Sequence, residues 1–107
     1  MALNLDPLER YRLQDHPAFQ LHCRQVGALV AGLRTEGNGL VVHRPNCKFL
    51  QKTIALNDTD LTNWRKFGTS VQDFPAFQAL ARASGVPLFF TCPSTECRNL
   101  QGALGIP

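Results

Sequence analysis

Gln14-Asp15-His16-Pro17-Ala18-Phe19-Gln20 returns later in the chain as Gln72-Asp73-Phe74-Pro75-Ala76-Phe77-Gln78, with six of the seven positions identical. A second echo follows each copy. Gly39-Leu40-Val41-Val42-His43-Arg44-Pro45-Asn46 corresponds to Pro87-Leu88-Phe89-Phe90-Thr91-Cys92-Pro93-Ser94. A third then matches Cys47-Lys48-Phe49-Leu50-Gln51 with Cys97-Arg98-Asn99-Leu100-Gln101. Three matches in one order indicate an internally duplicated helix–strand–helix unit. Unit one covers about 14–56, unit two about 72–106, and a connecting helix about 58–68, all in a single domain over 1–107. Two copies make a duplicated domain, because a solenoid needs three or more.

Each unit reads the same way. Asp15 and Asp73 suit helix N-caps, and Pro17 and Pro75 sit in the first turn, where a missing N–H is harmless. Phe19, Cys23, Val26, Val30 and Leu33 recur at helical spacing, a buried stripe on a long first helix. Gly37 and Gly85 suit positions just beyond a helix C-terminus. Short apolar strands follow at 40–43 and 87–91, and Pro45 and Pro93 each open a second short helix. Asp58 suits the cap of a helix carrying Leu61, Trp64 and Phe67 and ended by Gly68, and Asp6-Pro7 starts a short helix through Leu13. The expected fold is therefore α+β and mostly helical, with a small two-stranded sheet packed on helices. If the strands run parallel, the loops after them open at one edge; a pseudo-twofold axis would send them to opposite ends.

Length and composition bound the function. A chain of 107 residues with 44% hydrophobic and 18% charged residues has enough apolar material for one core. No run approaches the roughly 20 apolar residues of a membrane span. Asp6, Glu9 and Arg10 spoil a signal peptide at the N-terminus, so a cytoplasmic setting is expected. There the four cysteines, Cys23, Cys47, Cys92 and Cys97, stay reduced. The net charge of +3 is mild. Arg44, Lys48 and Lys52, with Arg65 and Lys66 further on, form the nearest thing to a basic cluster for nucleic acid, and a solvated mixed-charge surface explains them as well.

The two post-strand loops carry the chemistry. His43-Arg44-Pro45-Asn46-Cys47 offers H-x3-C, and Cys92-Pro93-Ser94-Thr95-Glu96-Cys97 offers C-x4-C. Thiolate and imidazole are the donors zinc prefers, and a closed tetrahedral site needs four. His43, Cys47, Cys92 and Cys97 are thus the candidate metal ligands, although His43 aligns with Thr91 and not with Cys92. Cys23 aligns with Ala81 and reads as a small core residue. His22 aligns with Leu80, a boundary position, and His16 with Phe74, a residue stapling the helix start.

A second reading makes loop two a reaction centre. The run Leu88 to Arg98 holds C-x5-R between a strand and a helix, and it resembles the phosphate loop of low-molecular-weight protein tyrosine phosphatases and related arsenate reductases. That resemblance, over about eleven residues, implies Cys92 as a thiolate nucleophile, with Arg98 and backbone N–H groups holding the oxyanion. The loop departs from the family in carrying Ser94-Thr95 where the family has Gly-Asn. Only nine residues follow Arg98, too few for the family's downstream aspartate. A third reading is a regulatory disulfide between Cys92 and Cys97, whose spacing is wider than the redox C-x-x-C. With no convincing catalytic set, the sequence favours a non-enzymatic regulatory module with a protein partner, zinc-stabilised through its loops. An open edge on a two-stranded sheet would also allow a homodimer.

Overall fold

The computed structural model describes residues 4–34, 37–51 and 66–106. Its centre is the run Ala28-Leu29-Val30-Ala31-Gly32-Leu33, which forms a strand, β1 (Ala28–Leu33), buried at its first five positions. This overturns the expected long helix. The first helix, α1 (His16–Cys23), stops at Cys23, and Gly27 then turns the chain at φ +76°. Val26, expected in a buried stripe, is 102% exposed. The physical reason is that a short, uninterrupted apolar run fits a strand covered on both faces as well as it fits a helix. Here the left-handed glycine, which a helix interior excludes, decides the matter.

Four strands make the sheet: β1, β2 (Leu40–His43), β3 (Lys66–Ser70) and β4 (Leu88–Phe89), in the order β3-β1-β2-β4. β1 pairs antiparallel with β2 and with β3, whereas β2 and β4 run parallel. The fold is therefore mixed α/β around a four-stranded sheet, and the expected mostly helical fold with two strands is wrong. Phe67 and Gly68, expected at the end of a connecting helix, lie in β3; Leu61, Trp64 and Arg65 fall outside the described residues. Gly37, expected after a helix, has φ +71° in the β1–β2 connection, where its N–H donates to the Arg34 carbonyl at 2.8 Å. Unit one thus reads helix–strand–strand–helix, with one strand more than expected.

The remaining elements are short. Asp6–Tyr11 is a 3-10 helix, residues 48–51 are helical (α2), α3 is Phe74–Ala83, Thr95–Cys97 is a 3-10 turn, and α4 is Leu100–Ala103. Gly85 ends α3 as expected, at φ +72°, with the Val86 N–H returning to the Ala81 carbonyl.

Strand alternation divides the core in two. Leu29, Ala31, Leu40, Val42 and Phe67 pack with Leu8, Phe74, Phe77 and Leu100. On the other side Val30 packs with Leu13, Phe19, Cys47, Leu50 and Cys97. Phe19 and Phe77, matched in sequence, therefore serve different clusters.

The β2–β4 junction is close. The Leu40 N–H donates to the Pro87 carbonyl at 2.9 Å, and Leu40 and Val41 pair with Leu88 and Phe89, the residues matched to them in sequence. Gly39 permits this approach, because a Cβ there would collide with the Phe89 ring and lie 2.9 Å from the Pro87 oxygen.

The two aspartates at the repeated motif are not equivalent. Asp15 Oδ1 accepts from the Ala18 N–H at 2.8 Å, an N-cap as expected. Asp73 has helical backbone angles and makes no side-chain cap; its own N–H donates to Ser70 Oγ. Replacing a capping aspartate by alanine typically costs about 1 kcal/mol. Asp15→Ala should therefore lower the stability measured by urea denaturation by about that amount, and Asp73→Ala by clearly less.

Candidate metal centre

Because β2 and β4 are parallel neighbours, the chain leaves both strands at the same edge of the sheet. His43 is the last residue of β2. After it the chain turns at Pro45, with the Cys47 N–H donating to the Arg44 carbonyl at 3.1 Å, and enters α2 with the Cys47 carbonyl accepting from the Gln51 N–H. β4 ends at Phe89, so the following residues leave the ladder and bring Cys92 inward while Thr91 stays exposed. That departure resolves the one-residue mismatch between His43 and Cys92 in the aligned loops. Ser94 then caps the turn carrying Cys97, its Oγ accepting from the Cys97 N–H. The loops are tied by the Lys48 N–H, which donates to Glu96 Oε1 at 3.0 Å.

The result is a cluster of His43, Cys47, Cys92 and Cys97 whose ligand atoms all lie within 4.8 Å of one another. Cys47 Sγ is 3.6 Å from Cys92 Sγ, and Cys97 Sγ is 3.9 Å from His43 Nδ1. With metal–sulfur bonds of about 2.3 Å and metal–nitrogen bonds of about 2.0–2.1 Å, a tetrahedral zinc has S···S edges of about 3.8 Å and S···N edges of about 3.6 Å. These two separations are close to those edges, and pairs as wide as 4.8 Å would close by about 1 Å around an ion. The four groups can hold one ion with little movement.

The electrostatics favour a cation. Burial raises the Cys47 thiol, but hydrogen bonds from Ser94, the Leu50 backbone and the neighbouring cysteines outweigh it, and the net shift is downward. Cys97 is pushed up to about 12, first by burial and then by Cys47 and Cys92, against the lowering effect of Ser94 and the Arg44 backbone. Ionising one sulfur makes the next harder to ionise, unless a positive ion sits between them. Burial, followed by the charge of Lys66, lowers His43 to about 4, so its imidazole is neutral at pH 7 and has a lone pair to offer.

Other candidates fall outside this centre. Cys23 is half-buried against the Phe19 cluster and is not among the four. His22 Nε2 lies 2.9 Å from the Leu29 carbonyl, and its ring covers Gly68. The side chain of His16 lies outside the described residues. In the proposed basic cluster Arg44 is half-buried and Lys48 exposed, while Lys52 lies outside the described residues. Lys66, read as part of a surface charge group, is 6% exposed and its ammonium occupies the space beside Gly32. Arg98 is exposed, and Cys92 Sγ contacts Cys47 Sγ and Ser94 Oγ, so a phosphate loop built on that thiolate would share it with the cluster.

Ser94 is the residue that sequence reasoning missed. It is 2% exposed, with Oγ 3.2 Å from Cys47 Sγ and 3.3 Å from Cys92 Sγ. The signal was available: a serine three residues before Cys97, at the start of a helical turn, is an N-cap pattern. Compared with protein-family models, curated proteins and solved structures, the chain finds no match, so the functional argument rests on these residues.

Two outcomes follow. Losing an outer-shell partner usually lowers metal affinity about 10–100-fold, so, if the cluster holds a metal ion, Ser94→Ala should weaken binding of added zinc by that factor in a chelator competition, with Ser94→Thr closer to the parent. For the metal-free protein, His43 titrates at 6.5 when unfolded and at about 4 when folded. Between those values the unfolded state binds the extra proton, so stability falls as pH drops through the window. Denaturation midpoints at neutral pH and near the lower value should differ in the parent, and the difference should shrink in His43→Gln.

Proposed function

We propose that this chain is a small, non-enzymatic binding module whose two post-strand loops are held by one structural zinc ion, and that it acts by presenting a fixed surface to another protein. The observation that carries the reading is the convergence of four soft or borderline donors, three sulfurs and one imidazole, within 4.8 Å. Such a set suits zinc and lacks the oxygen ligands that calcium and magnesium require. A cage this small takes a single ion. Four protein ligands also close a tetrahedral shell, leaving no position for an activated water or substrate, which is the mark of a structural site.

The partner surface follows from what the metal would fix. Phe49 lies two residues beyond Cys47 and is 45% exposed, with Lys48 Nζ 5.6 Å from its ring centre. An aromatic side chain held at the surface belongs to the class enriched in protein interfaces. All four cysteines are free, and thiolate ligation needs a reducing compartment, which agrees with a cytoplasmic setting. Among the described residues no helix is long and apolar enough to cross a membrane.

Mass spectrometry of the purified protein under native and denaturing conditions tests this directly. The native mass should exceed the denatured mass by one zinc per chain and should also report any dimer. Cys47→Ser and Cys97→Ser should lose the ion and unfold at a lower denaturant midpoint, whereas Cys23→Ser should match the parent in both. A fully folded native protein without metal, unaffected by chelator, would refute the zinc reading.

A further inference from the structure

Resting on the zinc reading, we infer that the centre is a peroxide-responsive switch, in which Cys92 is the point of attack and Cys47 the resolving partner, and their disulfide releases the ion. The asymmetry of the cluster carries this. Cys47 is 0% exposed and Cys97 7%, whereas Cys92 is only half-buried, so a small oxidant meets Cys92 first. Cys47 Sγ lies 3.6 Å from Cys92 Sγ, already in van der Waals contact across the two loops. Cys97 Sγ lies 3.9 Å from His43 Nδ1, while Cys23 lies outside the cluster.

Zinc has no redox chemistry of its own, so the two electrons come from sulfur. The Cys92 thiolate attacks one oxygen of a hydroperoxide; the O–O bond breaks, and the departing oxide takes a proton to leave as water or alcohol. Cys92 becomes a sulfenic acid. The Cys47 thiolate then attacks Cys92 Sγ, the S–O bond breaks, and hydroxide leaves with a second proton as water. For hydrogen peroxide, two thiolates, one peroxide and two protons give one disulfide and two waters. His43 and Cys97 alone cannot complete a tetrahedral shell, and the ion departs. A thiol reductant reverses the exchange. This pairing differs from the Cys92–Cys97 disulfide suggested by sequence spacing: it joins the two loops across a 3.6 Å sulfur–sulfur contact.

The test begins with protein reconstituted with zinc under reducing conditions, freed of reductant, and counted for metal. Hydrogen peroxide is then added in steps, zinc release is followed with a chromogenic chelator, and disulfides are located by peptide mass after alkylation. The expected result is loss of one equivalent of zinc for each Cys47–Cys92 disulfide formed, restored by reductant plus zinc, with Cys23→Ser behaving like the parent. Zinc absent before peroxide would overturn both the zinc reading and this one. Zinc present and then retained would overturn the switch alone. So would release accompanied by sulfinic or sulfonic acids, or by a disulfide through Cys23 or Cys97.

Discussion

The parallel pairing of β2 with β4 is the constraint on which the rest depends. It is short, two residue pairs and the Leu40–Pro87 hydrogen bond, yet it sets the direction in which both loops leave the sheet. An antiparallel arrangement would send His43 and Cys92 to opposite ends of the strands. Gly39 makes the pairing sterically possible, and β1, buried on both faces, supplies the rigid neighbour that holds β2 in place. The site is thus a consequence of topology before it is a consequence of ligand chemistry.

Charge explains the composition of the centre. If the proposed divalent ion is bound, three thiolates and a neutral imidazole around it sum to one negative charge. A buried net charge is costly unless it is compensated. Lys66 stands on the adjoining strands' shared face, buried, its own affinity for protons reduced to a value of about 8 by desolvation, and its charge is felt at His43. In the unloaded protein that proximity penalises a positive imidazole. Around an anionic centre the same ammonium becomes favourable. Ser94 adds a hydroxyl between two sulfurs and so polarises them further.

The four residues of the cluster were legible in the sequence because sulfur and imidazole are scarce and their positions in matched loops can be compared. The sheet was not legible. Phe19, Cys23, Val26, Val30 and Leu33 satisfy a helical period, but that period also runs through a helix, a turn and a strand when an apolar run follows a short helix. Gly27 held the answer, and only its left-handed backbone shows it. Phe67 and Gly68 misled for a related reason: a glycine after an aromatic reads as a helix stop, whereas here Gly68 leaves room for the His22 ring across a strand. Lys66 was hidden because nothing local distinguishes a buried lysine from a solvated one. The repeated motif shows how far local sequence reaches, since Asp15 and Asp73 open similar helices with different hydrogen bonds and the helices serve different core clusters.

The separation between the loops has an entropic consequence. Cys47 and Cys92 are 45 positions apart, so an ion held between them joins distant parts of one small chain. A cross-link closing a loop of that size removes disorder from the unfolded ensemble worth about 4 kcal/mol at room temperature. Domains are commonly stable by only about 5–15 kcal/mol in total. On the zinc reading, metal supply would govern more than the shape of one surface: it would set how much of the population is folded.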